Sequence, residues 1–213
     1  MSGAGAVRVS AGPPFSVCYD ARVIVLGIDP GSRRCGYGVV ASEGTRLSVL
    51  ASGVLVPGSL PMPERLARIL DGLGEVIARA RPAEVSIEQV FCGTSARSAL
   101  VLGQARGVAL AAAARAGLPV FEYAPAEVKL AFTGSGRATK EQMVRTAHML
   151  LGAAPGLSDE ADALALAVCH LARRTARLAV VAAGPAPAAA ERGRAAAARA
   201  RLRPSRRDHR SLA

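Results

Sequence analysis

The first third of the chain alternates between apolar runs and turn residues, a pattern typical of β-strands. Residues 23–28 form a run of strand length that ends at Asp29, Pro30 and Gly31. Two further apolar segments, 37–41 and 47–56, follow after short connections. Three strands with such short connections predict an antiparallel meander.

Beyond residue 60 the apolar spacing becomes helical. Helices are predicted at 66–80, 99–116, after Pro125, at 140–151 and at 158–178. A fourth strand is expected at 85–90 and a fifth at 118–123. Because helices follow both, they imply parallel crossovers. The pattern predicts an α/β fold, a five-stranded mixed sheet with helices on both faces.

The two ends differ in composition from the middle. Residues 1–21 are rich in Gly, Ala, Ser and Pro, which predicts a flexible extension or a start codon placed too far upstream. Residues 180–213 are low in complexity and predict a disordered basic Ala/Arg tail. The chain is therefore expected to hold one folded domain at 22–179.

The charge indicates a polyanionic partner. The formal net charge is +11, and residues 179–213 hold eight arginines against Glu191 and Asp208, a net of +6 that leaves +5 for the rest. Nucleic acid is the first candidate partner of so basic a chain.

Several other classes of protein are not favoured. No apolar stretch approaches the ~20 residues of a membrane span, and no basic start is followed by an apolar run, so we expect neither a membrane partner nor a secretory signal. The four cysteines are widely spaced, without a C-x-x-C pair. We expect incidental thiols in a cytoplasmic protein rather than a zinc site.

Two acids belong to predicted strands, one at the end of a strand and one inside a strand. Asp29 either forms the turn with Pro30 and Gly31 or is a functional group at a strand end. Glu88 lies inside an apolar strand, where a buried acid needs a partner such as a metal ion. The alternative is that Glu88 lies on an edge strand and faces water.

Two further acids open the last predicted helix. Asp159 and Asp162 are three residues apart and so share one face, although acids also favour a first helical turn for the sake of the macrodipole. Glu160 points elsewhere and is expected only to support that dipole. If the strand ends and this helix meet, the four carboxylates form a hard-oxygen site for Mg²⁺ or Mn²⁺. Two ions ~4 Å apart suit phosphodiester hydrolysis.

Five motifs, in order, resemble those of the RuvC-type Holliday junction resolvases. They are Gly27-Ile-Asp-Pro-Gly-Ser32 with Gly36-Tyr-Gly-Val39, Ile87-Glu-Gln-Val-Phe91, Leu102-Gly-Gln-Ala-Arg-Gly107, Val120-Phe-Glu-Tyr123 and Asp159-Glu-Ala-Asp-Ala-Leu-Ala165. The resemblance covers residues 23–171. The N-terminal extension and the long tail depart from the compact pattern of the family.

The resemblance implies a ribonuclease H-like fold, a homodimer, and Mg²⁺-dependent, paired symmetric nicking of four-way junction DNA in recombination and repair. It places Asp29, Glu88, Asp159 and Asp162 on the catalytic, metal-binding positions, with two Mg²⁺ expected per site and Mn²⁺ as a substitute. It also implies cooperation with the RuvA–RuvB branch-migration complex at the bacterial nucleoid.

Four residues are candidates for DNA contacts. Phe91 is expected either to stack on an unpaired base or to end a strand as a core residue, and Arg97 in the same predicted loop to contact phosphate. Lys129 and Lys140 are the chain's only lysines among 27 basic residues. A compact ammonium suits a scissile phosphate that a planar guanidinium does not fit.

Other functions remain open at this stage. A YqgF-like nuclease acting on structured RNA is the nearest alternative, followed by a non-catalytic junction-binding module. An ATPase of the actin/Hsp70 type would need two such domains. On the predicted second helix, Gly103 and Gly107 would permit close packing, either within the chain or across a dimer.

Overall fold

Three antiparallel strands open the fold, and they pair in chain order as the meander predicts. They are β1 (Val23–Asp29), β2 (Cys35–Glu43) and β3 (Arg46–Leu55). The computed structural model describes residues 22–89 and 95–183 of the chain.

Two parallel strands complete the sheet. The remaining elements are α1 (Met62–Ala80), β4 (Glu84–Glu88), α2 (Ala96–Arg115), β5 (Val120–Tyr123), α3 (Pro125–Thr133), α4 (Lys140–Leu151) and α5 (Ser158–Ala183). Strand β4 pairs with β1 and β5 pairs with β4, both in parallel, so the strand order is β3-β2-β1-β4-β5. The predicted five-stranded mixed sheet is confirmed.

Helices cover both faces of the sheet, and β1 shows how the sequence assigns them. Leu26 and Ile28 are fully buried in the cluster beneath α1 and α2. Val25 is fully buried in the opposite cluster, with α3, α4 and α5. Because side chains alternate along a strand, Gly27 and Asp29 share the α5 face with Val25.

Helix α2 begins earlier than predicted. It starts at Ala96, where the Ser95 hydroxyl accepts a hydrogen bond from the Ser98 N–H at 3.3 Å. The polar residues that indicated a loop are an N-cap and a first helical turn. Arg97 therefore lies in the first turn of α2, and its predicted placement in a loop is wrong.

A buried polar network fixes α5 against the parallel half of the sheet. His170, 1 % exposed, shares a 2.7 Å hydrogen bond with the Tyr123 hydroxyl through Nδ1 and contacts Glu84 through Nε2. Arg174 Nε donates to Glu84 at 3.2 Å. Burial favours a higher pKa for Glu84, but the hydrogen bonds from His170 and Arg174 outweigh it and lower that pKa.

The chain divides into two compact units, Met1–Thr175 and Ala176–Ala213. The first contains the sheet and its helices. Of the second, the structure describes the end of α5, which continues to Ala183. In the described parts of the chain, no helix is long and apolar enough to span a membrane.

Candidate active site

Glycines in the first two strands let α5 lie directly on the sheet. A Cβ at Gly27 would be 2.0 Å from the carbonyl oxygen of Ala163, and one at Gly36 would be 2.0 Å from that of Asp159. At Gly38, a Cβ would be 2.8 Å from the Leu164 nitrogen. Any side chain at these positions would push the helix away from the strands.

This close packing brings acids from three elements together. Asp29 ends β1 on the face that α5 covers, and Asp159 and Asp162 lie in the first turns of α5. Ile28 pairs with Ile87, so Asp29 and Glu88 each follow a paired residue by one position on neighbouring strands. Strand β4 lies between β1 and β5, which excludes the edge-strand interpretation of Glu88.

The four acids form one electrostatic cluster. The pKa of Asp29 is raised to about 7, first by burial and then by the negative charges of Glu88, Asp162 and Asp159, in that order. Burial followed by Asp162 raises the pKa of Glu88. The pKa of Asp162 is also raised, by burial and by Asp159. Asp29, Glu88 and Asp162 are therefore costly to ionise in this cluster, which favours a cation.

Both lysines lie near enough to oppose this repulsion. The charge of Lys140 acts to lower the pKa of Asp29 and of Asp162, and Lys129 acts likewise on Glu88 and Asp162. Lys140 is the first residue of α4, which Thr139 and Gln142 close with a capping box. The structure thus brings the two predicted lysines to the predicted acids.

Two arginines that the sequence analysis did not single out also reach this region. Arg34 Nη1 lies 3.8 Å from Asp159 Oδ2. Arg106 Nε donates to the Glu88 carbonyl at 3.4 Å, while its Nη2 pairs with Glu122 at 2.6 Å. Arg106 belongs to the Leu102–Gly107 motif, so that motif supports the backbone of the acid that ends β4.

The remaining predicted site residues are placed differently. Phe91 lies outside the described residues. Arg97 is exposed at the start of α2 and is not among the groups that shift the pKa of the four acids. Glu160 does more than support the helix dipole, because it accepts hydrogen bonds from Ser52 Oγ at 2.7 Å and from the Gly156 N–H at 3.0 Å. It ties the start of α5 to β3.

The donor set suits a hard divalent cation. All four side chains offer carboxylate oxygens, the ligands that Mg²⁺ and Mn²⁺ prefer. Among the described residues, no three His, Cys, Asp or Glu side chains already converge as a metal-binding group. The pKa of Asp29, raised first by burial and then by the neighbouring acids, shows the electrostatic cost that a cation would relieve.

Cys35 lies close to two of the acids but is not activated as a nucleophile. Cys35 lies in β2, is buried, and forms no disulfide. Burial, together with the charges of Asp29 and Asp159, raises the pKa of its thiol to about 12. The thiol therefore stays protonated near neutral pH, and a protonated thiol is a poor nucleophile.

Comparison with known proteins agrees with this geometry. Residues 25–170 match the family model described as crossover junction endodeoxyribonuclease RuvC. A protein of that name from Anaeromyxobacter sp. (strain Fw109-5) is 75% identical over 206 residues, 90% of this chain and 100% of the relative. Another from Anaeromyxobacter dehalogenans (strain 2CP-C) is 79% identical over 188 residues, 88% of this chain and 98% of the relative.

A solved structure matches as well. The T. thermophilus RuvC in complex with Holliday junction substrate superposes with a TM-score of 0.66 at 39% identity, covering 72% of this chain and 96% of that one.

Proposed function

The chain belongs to the RuvC family of crossover junction endodeoxyribonucleases, and we propose that its four clustered carboxylates perform the hydrolysis by which it resolves Holliday junctions. The observation that supports this most directly is the convergence of acids from β1, β4 and α5, reflected in the raised pKa of Asp29. In this proposal Asp29, Glu88, Asp159 and Asp162 are the catalytic residues.

The family is one of metal-dependent nucleases, and the four acids would hold the metal. We propose Mg²⁺, with Mn²⁺ as a substitute, because the ligands are all carboxylates. We propose two ions per site because the four carboxylates come from two strand ends and one helix, which surround the space between the acids. When bound, the ions activate water and stabilise the negative charge that develops on the phosphate. Lys129 and Lys140 position the scissile phosphate and offset its charge.

The substrate is four-way junction DNA, cut by paired symmetric nicks in strands of like polarity. Two matched cuts require two matched sites, so we propose a homodimer. On α2, no atom would lie within 4 Å of a Cβ at Gly103 or Gly107, and Leu100 is 71% exposed. These glycines do not serve packing within the described chain, and this open face suits a second copy.

Further expected contacts complete the proposal. Phe91 stacks on a base near the cut, Arg97 contacts phosphate, and the RuvA–RuvB complex delivers the junction during recombination and repair. Residues 180–213 add non-specific attraction to DNA through their net charge of +6.

The test is cleavage of a synthetic four-way junction compared with a structured RNA of equal length, in Mg²⁺ and in EDTA. We expect paired nicks in the junction, no cut in the RNA, and no activity in EDTA. Cleavage of the RNA in preference to the junction would support the YqgF-like alternative, which the comparisons do not favour.

A further inference from the structure

A basic pocket lies beside the turn that follows Asp29. It occupies about 420 Å³ between this turn and the connection from β3 to α1. Its lining residues are Arg33, Val56, Gly58, Ser59, Leu60 and Arg65. None of these residues is acidic, so two guanidinium groups face a cavity without a carboxylate in its wall.

Arg65 is a half-buried cation that has no anionic partner among the described residues. Its Nη1 donates to the carbonyl and to the hydroxyl of Ser32, each at 3.3 Å, and its Nη2 contacts Met62 Sδ at 3.5 Å. The Nε of Arg65 is buried and makes no hydrogen bond within the described chain. The cost of partly burying a guanidinium falls when an anion lies beside it.

The two arginines of the turn, Arg33 and Arg34, contact different parts of the molecule. Arg34 lies beside Asp159 at the carboxylate cluster. Arg33 is exposed and lines the pocket, and its side chain makes no ion pair or hydrogen bond with the described residues. Its charge is therefore available to a ligand in the pocket that Arg65 also lines.

We propose that this pocket binds one backbone phosphate of the DNA strand being cut, close to the scissile phosphate; the inference rests on the proposed function. Arg33 follows Asp29 by only four positions, so the chain between them spans at most about 14 Å. Bidentate contact with phosphate oxygens is what guanidinium groups do best.

The position of the pocket also indicates the path that the cut DNA strand takes across the site. Arg65 belongs to α1, which covers one face of the sheet together with α2. Lys129 and Lys140 belong to α3 and α4, which pack on the other face. A strand that contacts the lysines and the pocket must cross the end of β1, where Asp29 lies.

The experiment combines a protein change with a phosphate change. Arg33→Gln is introduced into the cleavage-deficient Glu88→Gln protein, and junction affinity is measured over a range of salt. Single neutral methylphosphonates replace, in turn, each phosphate within four nucleotides of the cut. Arg46→Gln is the matched control, because Arg46 is an exposed arginine at the opposite end of the sheet.

We expect Arg33→Gln to weaken binding about fivefold or more and to lower the salt slope by about one, the change expected when a single phosphate is no longer neutralised. At one phosphate position, the methylphosphonate should weaken binding by the parent protein and have no further effect on Arg33→Gln. Arg46→Gln should leave both quantities unchanged.

Arg65→Gln should reproduce the same pattern at the same phosphate. Its melting temperature shows whether the Ser32 turn survives the change, and if it does not, the Arg33 variant still decides the matter. If the effects of Arg33→Gln and of the methylphosphonate are additive at every position, and the salt slope is unchanged, the proposal that this pocket binds a phosphate is wrong. Cleavage by the wild-type protein would still support the proposed function, so the two failures are distinguishable.

Discussion

The backbone of Gly36 lies against that of Asp159, so closely that a Cβ at Gly36 would be 2.0 Å from the Asp159 carbonyl oxygen. This relationship links a glycine of β2 to the start of the helix that carries two of the four acids. The separation of the acids on α5 from Asp29 therefore depends on a missing side chain in the neighbouring strand.

Gly36→Ala should destabilise the protein and impair cleavage. The obstruction is backbone rather than a flexible side chain, so α5 must shift, at a cost of about 3 kcal/mol or more. The measurements are urea unfolding and junction cleavage. Gly74→Ala is the control, because Gly74 lies in α1 with no atom near its Cβ position, and we expect it to stabilise by about 0.5–1 kcal/mol. Equal stability of the two alanine variants would contradict this account.

Glu88→Gln and Asp159→Asn should each lower cleavage by about a thousandfold or more while junction binding stays largely intact. In the proposed mechanism, the acids hold metal, whereas the lysines and arginines hold phosphate. Single-turnover cleavage and gel-shift affinity separate the two effects. A parallel loss of binding and cleavage, or substantial activity in EDTA, would argue against the metal mechanism.

The fold was predictable because its signals are local. The apolar run at 23–28 and the helical spacing at 66–80 are each contained in a short stretch of sequence, and the strands and helices appear where these patterns indicate. The start of α2 was missed because Ser95 and Ser98 are equally typical of a loop and of a capped helix.

The four acids of the site were predictable from the sequence, but the residues that position them were not. Carboxylates at a strand end or inside an apolar strand are conspicuous in a sequence. Gly27 and Gly36 act through contacts with α5, over a hundred residues away, and no local pattern reports such a contact. Arg106 was hidden in the same way, because its role is fixed by the distance from α2 to the end of β4.

Asp29→Asn should stabilise the metal-free protein at neutral and higher pH. Since the pKa of Asp29 is raised from 3.8 to about 7 in the folded protein, ionising this group opposes folding. The penalty is absent below pH 4, grows between pH 4 and 7, and is complete above pH 7.

In EDTA at pH 8 the asparagine variant should therefore be more stable by something on the order of 2–4 kcal/mol, and its advantage should vanish toward pH 4. Urea unfolding at several pH values measures this. Asp71→Asn, on the exposed side of α1, is the control substitution, measured over the same pH range. An Asp29→Asn protein that is no more stable than wild type at pH 8 would show that burial and the neighbouring acids do not raise the pKa of Asp29 as described.

Removing residues 184–213 should leave junction cleavage in place and weaken binding to any DNA. The deletion spares α5, which ends at Ala183, and removes eight arginines with a net charge of +6. Affinity should fall at low salt, and the salt slope should decrease in proportion to the number of phosphates that the tail neutralises. A shortened protein that binds junctions normally but does not cut them would contradict this role.

The two lysines provide a test of how closely the site fits its phosphate. The chain uses arginine at 25 of its 27 basic positions, yet both lysines lie where their charges act on the acids. A guanidinium keeps the charge but is larger and planar, so it would displace the phosphate from Asp29 and Glu88. We expect Lys129→Arg and Lys140→Arg each to lower the cleavage rate by about tenfold or more, and to lower junction affinity much less.

Arg97→Lys, at the exposed start of α2, is the control and should lower the cleavage rate less. Single-turnover rates at saturating protein isolate the cleavage step from binding. If both Lys→Arg proteins cut at the wild-type rate, the lysines supply ordinary charge, and the fit of the site does not depend on an ammonium group.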